Sequence, residues 1–106
     1  MTQIHQDHNG VKVLACEPWG HVYNIGKGHT LVNLYFQAGP VKDKGVNGIT
    51  NEALIAVLIH RIGVLNGTHP CEDNILALAS LQRALQHLED RTKNRIDRGV
   101  EGTNNA

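Results

Sequence analysis

Arg91 and Arg95 stand four positions apart in "RTKNRIDR", where Lys93 and Arg98 add two further cations. On a helix that spacing puts both guanidiniums on one side, one turn apart. Two uses suit such a pair. Cations near a helix C-terminus offset the negative end of its dipole. Adjacent guanidiniums also form a clamp for phosphates, since each can grip two oxygens at once. Asn74 poses the same choice, as a polar residue near a helix start or as an amide that hydrogen-bonds a base or ribose. Asn74 precedes Arg91 by 17 positions, roughly 26 Å along a straight helix. One small ligand cannot touch both within a protomer. In a twofold dimer with antiparallel helices, Asn74 of one chain approaches Arg91 and Arg95 of the other, and the site repeats by symmetry.

Other chemistry is thinly supported. His5 and His8 in "HQDH" have metal-like spacing but lie in a polar segment without further ligands, so no metal site is expected. Cys16 and Cys71 are far apart and read as two reduced thiols. His60 falls on the exposed or interfacial side of a helix. "GHVYNIGKGHT" is glycine-rich, yet no helix follows it as a phosphate-cradling loop requires. No Ser-His-Asp or Cys-His arrangement follows from spacing, and no catalytic residue or cofactor is expected.

The elements that position these residues divide the chain into an α+β fold. Residues 1–10 read as a frayed polar tail. Residues 11–48 read as a small antiparallel β part and connector, with strands in "VKVLACEPW" and "HTLVNLYFQ" and a turn in "YNIGKGHT". "NLYFQ" looks like a tobacco etch virus protease site, but Val32 stands where that site has Glu and Ala38 where it has Gly or Ser. Its Leu, Tyr and Phe fit a native strand that stops at Gly39-Pro40. Residues 49–106 read as an antiparallel two-helix hairpin with a terminal loop. Thr50 is the expected N-cap of the first helix, with Glu52 at its positive end. Leu54, Leu58, Ile62 and Leu65 form one stripe on that helix, widened by Ile55 and Ile59. "NGTHP" turns the chain, with Thr68 or His69 as cap and Pro70 at the first position of the second helix. Asn74, Leu78, Leu81, Leu85, Leu88, Thr92 and Arg95 then recur at steps of four and three, the seam of a hairpin or short coiled coil.

Composition narrows the function classes. The chain has 106 residues, 4% aromatics and ten basic against ten acidic residues. That balance gives nothing that draws it to long nucleic acid or a membrane surface. "MTQIHQDHNG" lacks the apolar stretch of a signal peptide, and no segment is long enough to span a bilayer. So short a chain, with one very apolar segment, is expected to complete its core by oligomerising through the helices.

"FQAGPVKDKGVNGITNEALIAVLIHRI" and "CEDNILALASLQRALQHLEDRTKNRIDRGVEGT" together resemble the phage anti-Thoeris signal-sponge proteins. Their C-terminal hairpin is shared with the phage anti-CBASS sponges. The resemblance covers residues 36 to 103, and the N-terminal β part suits the anti-Thoeris branch. It implies a non-enzymatic protein of the infected bacterial cytoplasm that sequesters cyclic nucleotide immune signals. In that branch these are cyclic ADP-ribose isomers made by TIR-domain enzymes; other members bind cyclic oligonucleotides. It also implies a dimer assembling to a hexamer. The implied ligand clamp is Asn74, Arg91 and Arg95, beside a terminal loop of Arg98, Gly99, Val100, Glu101, Gly102 and Thr103. Gly39, Asn47 and Gly48 are placed near the same ligand. The family usually has a Phe after the first helix, where a base stacks; here Leu65 stands in or next to that position. Aromatic stacking is worth about 1–3 kcal/mol per base, which a Leu does not supply. The rivals are an enzyme that hydrolyses the cyclic nucleotide and a small oligomeric nucleic-acid binder using "RTKNRIDR".

Overall fold

A computed structural model describes residues 1–106, apart from the side chain of Thr30. The chain forms two compact units, Met1–Ile49 and Thr50–Ala106.

The first unit is an antiparallel sheet in the order β1-β2-β3-β4. Its strands are β1 (Thr2–Gln6), β2 (Lys12–Ala15), β3 (Val22–Lys27) and β4 (Thr30–Tyr35). Three local devices set this meander. Asp7 Oδ1 accepts from the N–H groups of Asn9 and Val11, each at 3.2 Å, and closes the β1–β2 turn. The Glu17 carboxylate accepts from the N–H groups of Trp19, His21 and Val22 at 3.1, 2.7 and 3.0 Å. That fixes the β2–β3 turn. Lys27 pairs with Thr30, leaving a two-residue hairpin loop whose Gly28 has φ +60°, the left-handed conformation such loops need.

Two sequence expectations are corrected here. The segment read as a frayed tail contains β1, and the segment read as a turn contains most of β3. Every β1 residue is exposed, so the strand forms by backbone pairing and leaves no apolar alternation to read. In β3, Asn24 faces Asn33 across the ladder and interrupts the apolar pattern. The register puts Ala15, Tyr23 and Leu34 on one face with Val13, Ile25 and Val32. Phe36 packs edge-on against Tyr23, their ring centroids 5.8 Å apart.

Glu17 gives this unit a pH dependence. Desolvation pushes its pKa up, but the N–H groups of His21, Val22 and Trp19 and the His21 charge outweigh it. The net shift is below the ordinary carboxylate value. A lowered folded pKa contributes stability above the unfolded pKa, and that contribution is lost as pH falls through the folded value. Trp19, the one tryptophan, should therefore report acid loosening of the turn in a fluorescence titration. Glu17→Gln should flatten that acid limb. An unchanged limb in the variant would assign the transition to other groups.

After β4 the chain makes a short helix, α1 (Val41–Lys44), inside a loop stapled by side chains. Gln37 Nε2 donates to the carbonyls of Gly39 and Gly45, and its Oε1 accepts from the Asn47 N–H. Asn47 Oδ1 accepts from the Ala38 N–H and its Nδ2 donates to the Ala38 carbonyl, both at 2.8 Å. The loop closes where Ile49 donates to Tyr35 O and Gln37 donates to Ile49 O.

The second unit is a hairpin of α2 (Asn51–Thr68) and α3 (Glu72–Asp97). The three-residue connection makes the helices antiparallel. Thr50 caps α2, accepting from Ala53 N at 3.0 Å. The turn differs from expectation. Asn66 and Gly67 remain helical, Cys71 is the N-cap of α3 without a side-chain bond, and Asn66 Oδ1 accepts from the Cys71 N–H. The helix therefore outlasts its apparent "NGTHP" stop, because the Asn66 amide satisfies a donor across the turn. Along α3 the seam residues Asn74, Leu78, Leu81, Leu85, Leu88 and Thr92 are half-buried, matched on α2 by Ile55, Ile59 and Ile62. Leu58 and Leu65 lie outside that face, 39% and 44% exposed.

Candidate ligand-binding site

The hairpin places the expected site residues at its two ends. Leu65 and Asn74 belong to the turn end. Leu65 is exposed on an apolar stretch of α2 with Ala56, Val57, His60, Arg61 and Val64. The Asn74 side chain is half-buried, and its Nδ2 donates to the His69 carbonyl at 3.4 Å. Its Oδ1 makes no bond among the described residues.

Arg91, Arg95, Arg98 and the terminal loop belong to the other end. With 26 residues against 18, α3 outruns α2, and its last turns carry the arginines. Equal spacing does not give them equal surroundings. Arg91 is exposed and has no hydrogen bond or ion pair among the described residues. Arg95 is 6% exposed, the one buried polar or charged residue described. Its Nε donates to Glu101 Oε2 at 3.1 Å, Nη1 to the Asn105 carbonyl at 2.6 Å, and Nη2 to the carbonyls of Val100 and Thr103 at 3.0 Å. A guanidinium has five N–H donors, so one on Nη1 remains uncommitted. Arg98 is tied to Asn94 Oδ1 and to the Ala106 carbonyl.

The loop follows from two reversals. Gly99 and Gly102 have φ of +72° and +79°, a conformation open to glycine at little cost. They turn the chain back so that Val100 N donates to Arg95 O and Thr103 N to Val100 O. The N–H groups of Glu101, Gly102 and Asn104 have no partner among the described residues. Free backbone amides in a loop form a surface suited to an anion.

Gly39, Asn47 and Gly48 belong to the first unit, where they shape its connector. Both polar atoms of the Asn47 amide are engaged by Ala38. Gly48 is required by space, since a Cβ there would sit 2.6 Å from the carbonyl oxygens of Phe36 and Tyr35. Gln37, which organises the same loop, escaped sequence reading because nothing in "YFQAG" distinguishes a stapling glutamine from a surface one. Asn105 escaped for a similar reason, contributing only its carbonyl.

The hairpin carrying these arginines lies largely within the region that matches the family model described as Acb2/Tad1, hairpin domain, over residues 31–93. The chain belongs to the Acb2/Tad1 hairpin family. It is also 45% identical over 74 residues to the protein named Thoeris anti-defense 1 of Bacillus phage SBSphiJ7. That alignment covers 69% of this chain and 52% of the relative, so the chain spans about half the length of the curated relative it matches. Within the Acb2/Tad1 hairpin of this chain, Asn74 and Arg91 lie inside the matched residues. Arg95 and its loop lie just beyond them.

Proposed function

We propose that this chain is a phage anti-defence sponge acting in the cytoplasm of the infected bacterium. It binds cyclic nucleotide immune signals and holds them uncleaved. The favoured ligands are cyclic ADP-ribose isomers made by TIR-domain enzymes of Thoeris, with CBASS cyclic oligonucleotides as a second class. The observation that carries this reading is the family hairpin, with an unpartnered Arg91 at one end and the polar Asn74 at the other. The name of the Bacillus phage relative points the same way. Arg91 grips phosphate, Asn74 of a neighbouring chain hydrogen-bonds the base or ribose, Leu65 gives apolar contact, and the loop from Arg98 to Thr103 supplies amides. Isothermal calorimetry with a panel of cyclic ADP-ribose isomers and cyclic di- and trinucleotides tests the binding. Ligand recovered intact after heat denaturation supports sequestration, and a cleaved product supports the hydrolase instead.

The uncovered surface supports a neighbouring chain. Among the described residues no apolar side chain is buried, and Val57, Val64, Ile75 and Leu76 are each more than half exposed. A helix apolar on all sides, as α2 is, belongs inside an assembly. We place a homo-oligomer on these helices, a dimer that assembles to a hexamer. Val64→Asp should reduce the mass measured by light scattering to that of a monomer and weaken ligand binding. An assembly of unchanged mass would remove the α2 face from the interface.

A further inference from the structure

We propose that Asn9–Gly10 is a self-modifying site of the first unit, where the Asn9 side chain deamidates in the folded protein. The chain has three Asn-Gly pairs, Asn9–Gly10, Asn47–Gly48 and Asn66–Gly67. In each, the glycine nitrogen can attack the asparagine Cγ, because glycine has no side chain to block the approach. The new N–Cγ bond closes a cyclic imide, the Cγ–Nδ2 bond breaks, and ammonia leaves with the glycine N–H proton. Water then adds to one imide carbonyl and opens the ring to aspartate or isoaspartate. The fold withholds this reaction from two of the pairs. The Asn47 amide is held at both polar atoms by the Ala38 backbone, at 2.8 Å. Gly67 lies inside α2, where helical hydrogen bonding engages its N–H, and Asn66 Oδ1 accepts from the Cys71 N–H. Asn9 is exposed in the β1–β2 turn, and its side chain makes no hydrogen bond among the described residues. The attacking nitrogen has one bond to release, from Gly10 N to Asp7 O at 3.0 Å, which opens with the turn alone. Lys27 adds activation. Its Nζ donates at 2.9 Å to the Asn9 carbonyl, which belongs to the same peptide as the attacking nitrogen. A cation there favours the deprotonated, reactive form of that nitrogen.

The product changes what holds β1. Isoaspartate routes the main chain through the side-chain carbon and lengthens it inside a turn that Asp7 closes with its own Oδ1. Every β1 residue is exposed, so the strand is kept by its backbone pairing with β2. Deamidation therefore loosens β1, and the new carboxylate close to Asp7 adds like-charge repulsion. None of this depends on what the hairpin binds. Trypsin puts the three pairs in separate peptides, ending at Lys12, Arg61 and Arg83. Purified protein is aged at neutral to mildly alkaline pH, and conversion in each peptide is followed by mass spectrometry. The peptide ending at Lys12 should convert at least about tenfold faster than the other two, because local opening controls reaction in a folded chain. In denaturant that difference should vanish. Lys27→Gln should slow conversion at Asn9 several-fold and Asn9→Gln should abolish it, while circular dichroism of both variants matches wild type. Hydrogen exchange of the β1 amides should quicken in aged wild-type protein and stay unchanged in aged Asn9→Gln. Faster or equal conversion at Asn47 or Asn66 would overturn the site. A preference for Asn9 that survives in denaturant would overturn the part played by the fold. A Lys27→Gln protein that converts as fast as wild type would remove Lys27 from the reaction.

Discussion

Replacing Arg91 by Ala should weaken binding of a cyclic ADP-ribose isomer by about two orders of magnitude or more while leaving the fold untouched. Truncating one partner of a hydrogen-bonded charge pair costs about 2–5 kcal/mol, and every 1.4 kcal/mol or so is tenfold in affinity. The residue is exposed and bonded to nothing described, so its removal strips no internal contact. The melting temperature of the free protein should stay within a degree or two. Arg91→Lys should recover part of the loss, since the charge survives and the bidentate grip does not. Calorimetry supplies the affinity, and thermal denaturation monitored at the helix band supplies the control. Undiminished binding by Arg91→Ala would take phosphate recognition away from this end of the hairpin.

Gly48→Ala should unfold or badly loosen the first unit. The added methyl would run into the Tyr35–Phe36 backbone, with the Phe36 carbonyl carbon nearest and the oxygens of Phe36 and Tyr35 at 2.6 Å. None of these can rotate away as a side chain would. Relief requires the strand end to part from Ile49, breaking its bonds to Tyr35 O and from Gln37 N. Overpacking costs about 1–3 kcal/mol and each lost hydrogen bond about 1 kcal/mol. A total of about 3 kcal/mol corresponds to roughly 12–24 °C in the midpoint of a small domain. Trp19 fluorescence would follow this unit directly, and the hairpin should keep its helical signal in the same sample. Gly63→Ala provides the counter-experiment. Nothing lies within 4 Å of a Cβ at that helical position, so the same substitution should stabilise by up to about 1 kcal/mol in a monomeric hairpin. A Gly48→Ala protein that melts like the wild type would show that the connector can shift as a whole.

Much of the second unit is legible in the sequence because its determinants are local. Thr50 caps α2 from one residue before it. The steps of four and three from Asn74 to Thr92 name the face of α3 that turns toward α2, and the structure half-buries those residues. The β unit is harder to read. Its outer strand β1 is polar throughout and its turns are set by single carboxylates, Asp7 and Glu17, whose roles depend on which N–H groups surround them. The connector shows the same limit. Gly48 can be seen as a glycine from sequence, but the need for one arises from a bridge between Phe36 and Ile49.

The sequence by itself determined the fold class, the hairpin with its seam, and the family, because helical periodicity, capping and motif order are properties of neighbouring residues. What only the tertiary structure decided is the difference in surroundings between two arginines that the helical repeat treats alike. Gly99 and Gly102 reverse the chain, and the returning carbonyls of Val100, Thr103 and Asn105 reach Arg95 and leave Arg91 to solvent. Periodicity assigns a residue to a side of a helix. Whether a guanidinium there is free for an anion or already bound depends on where the rest of the chain comes to lie.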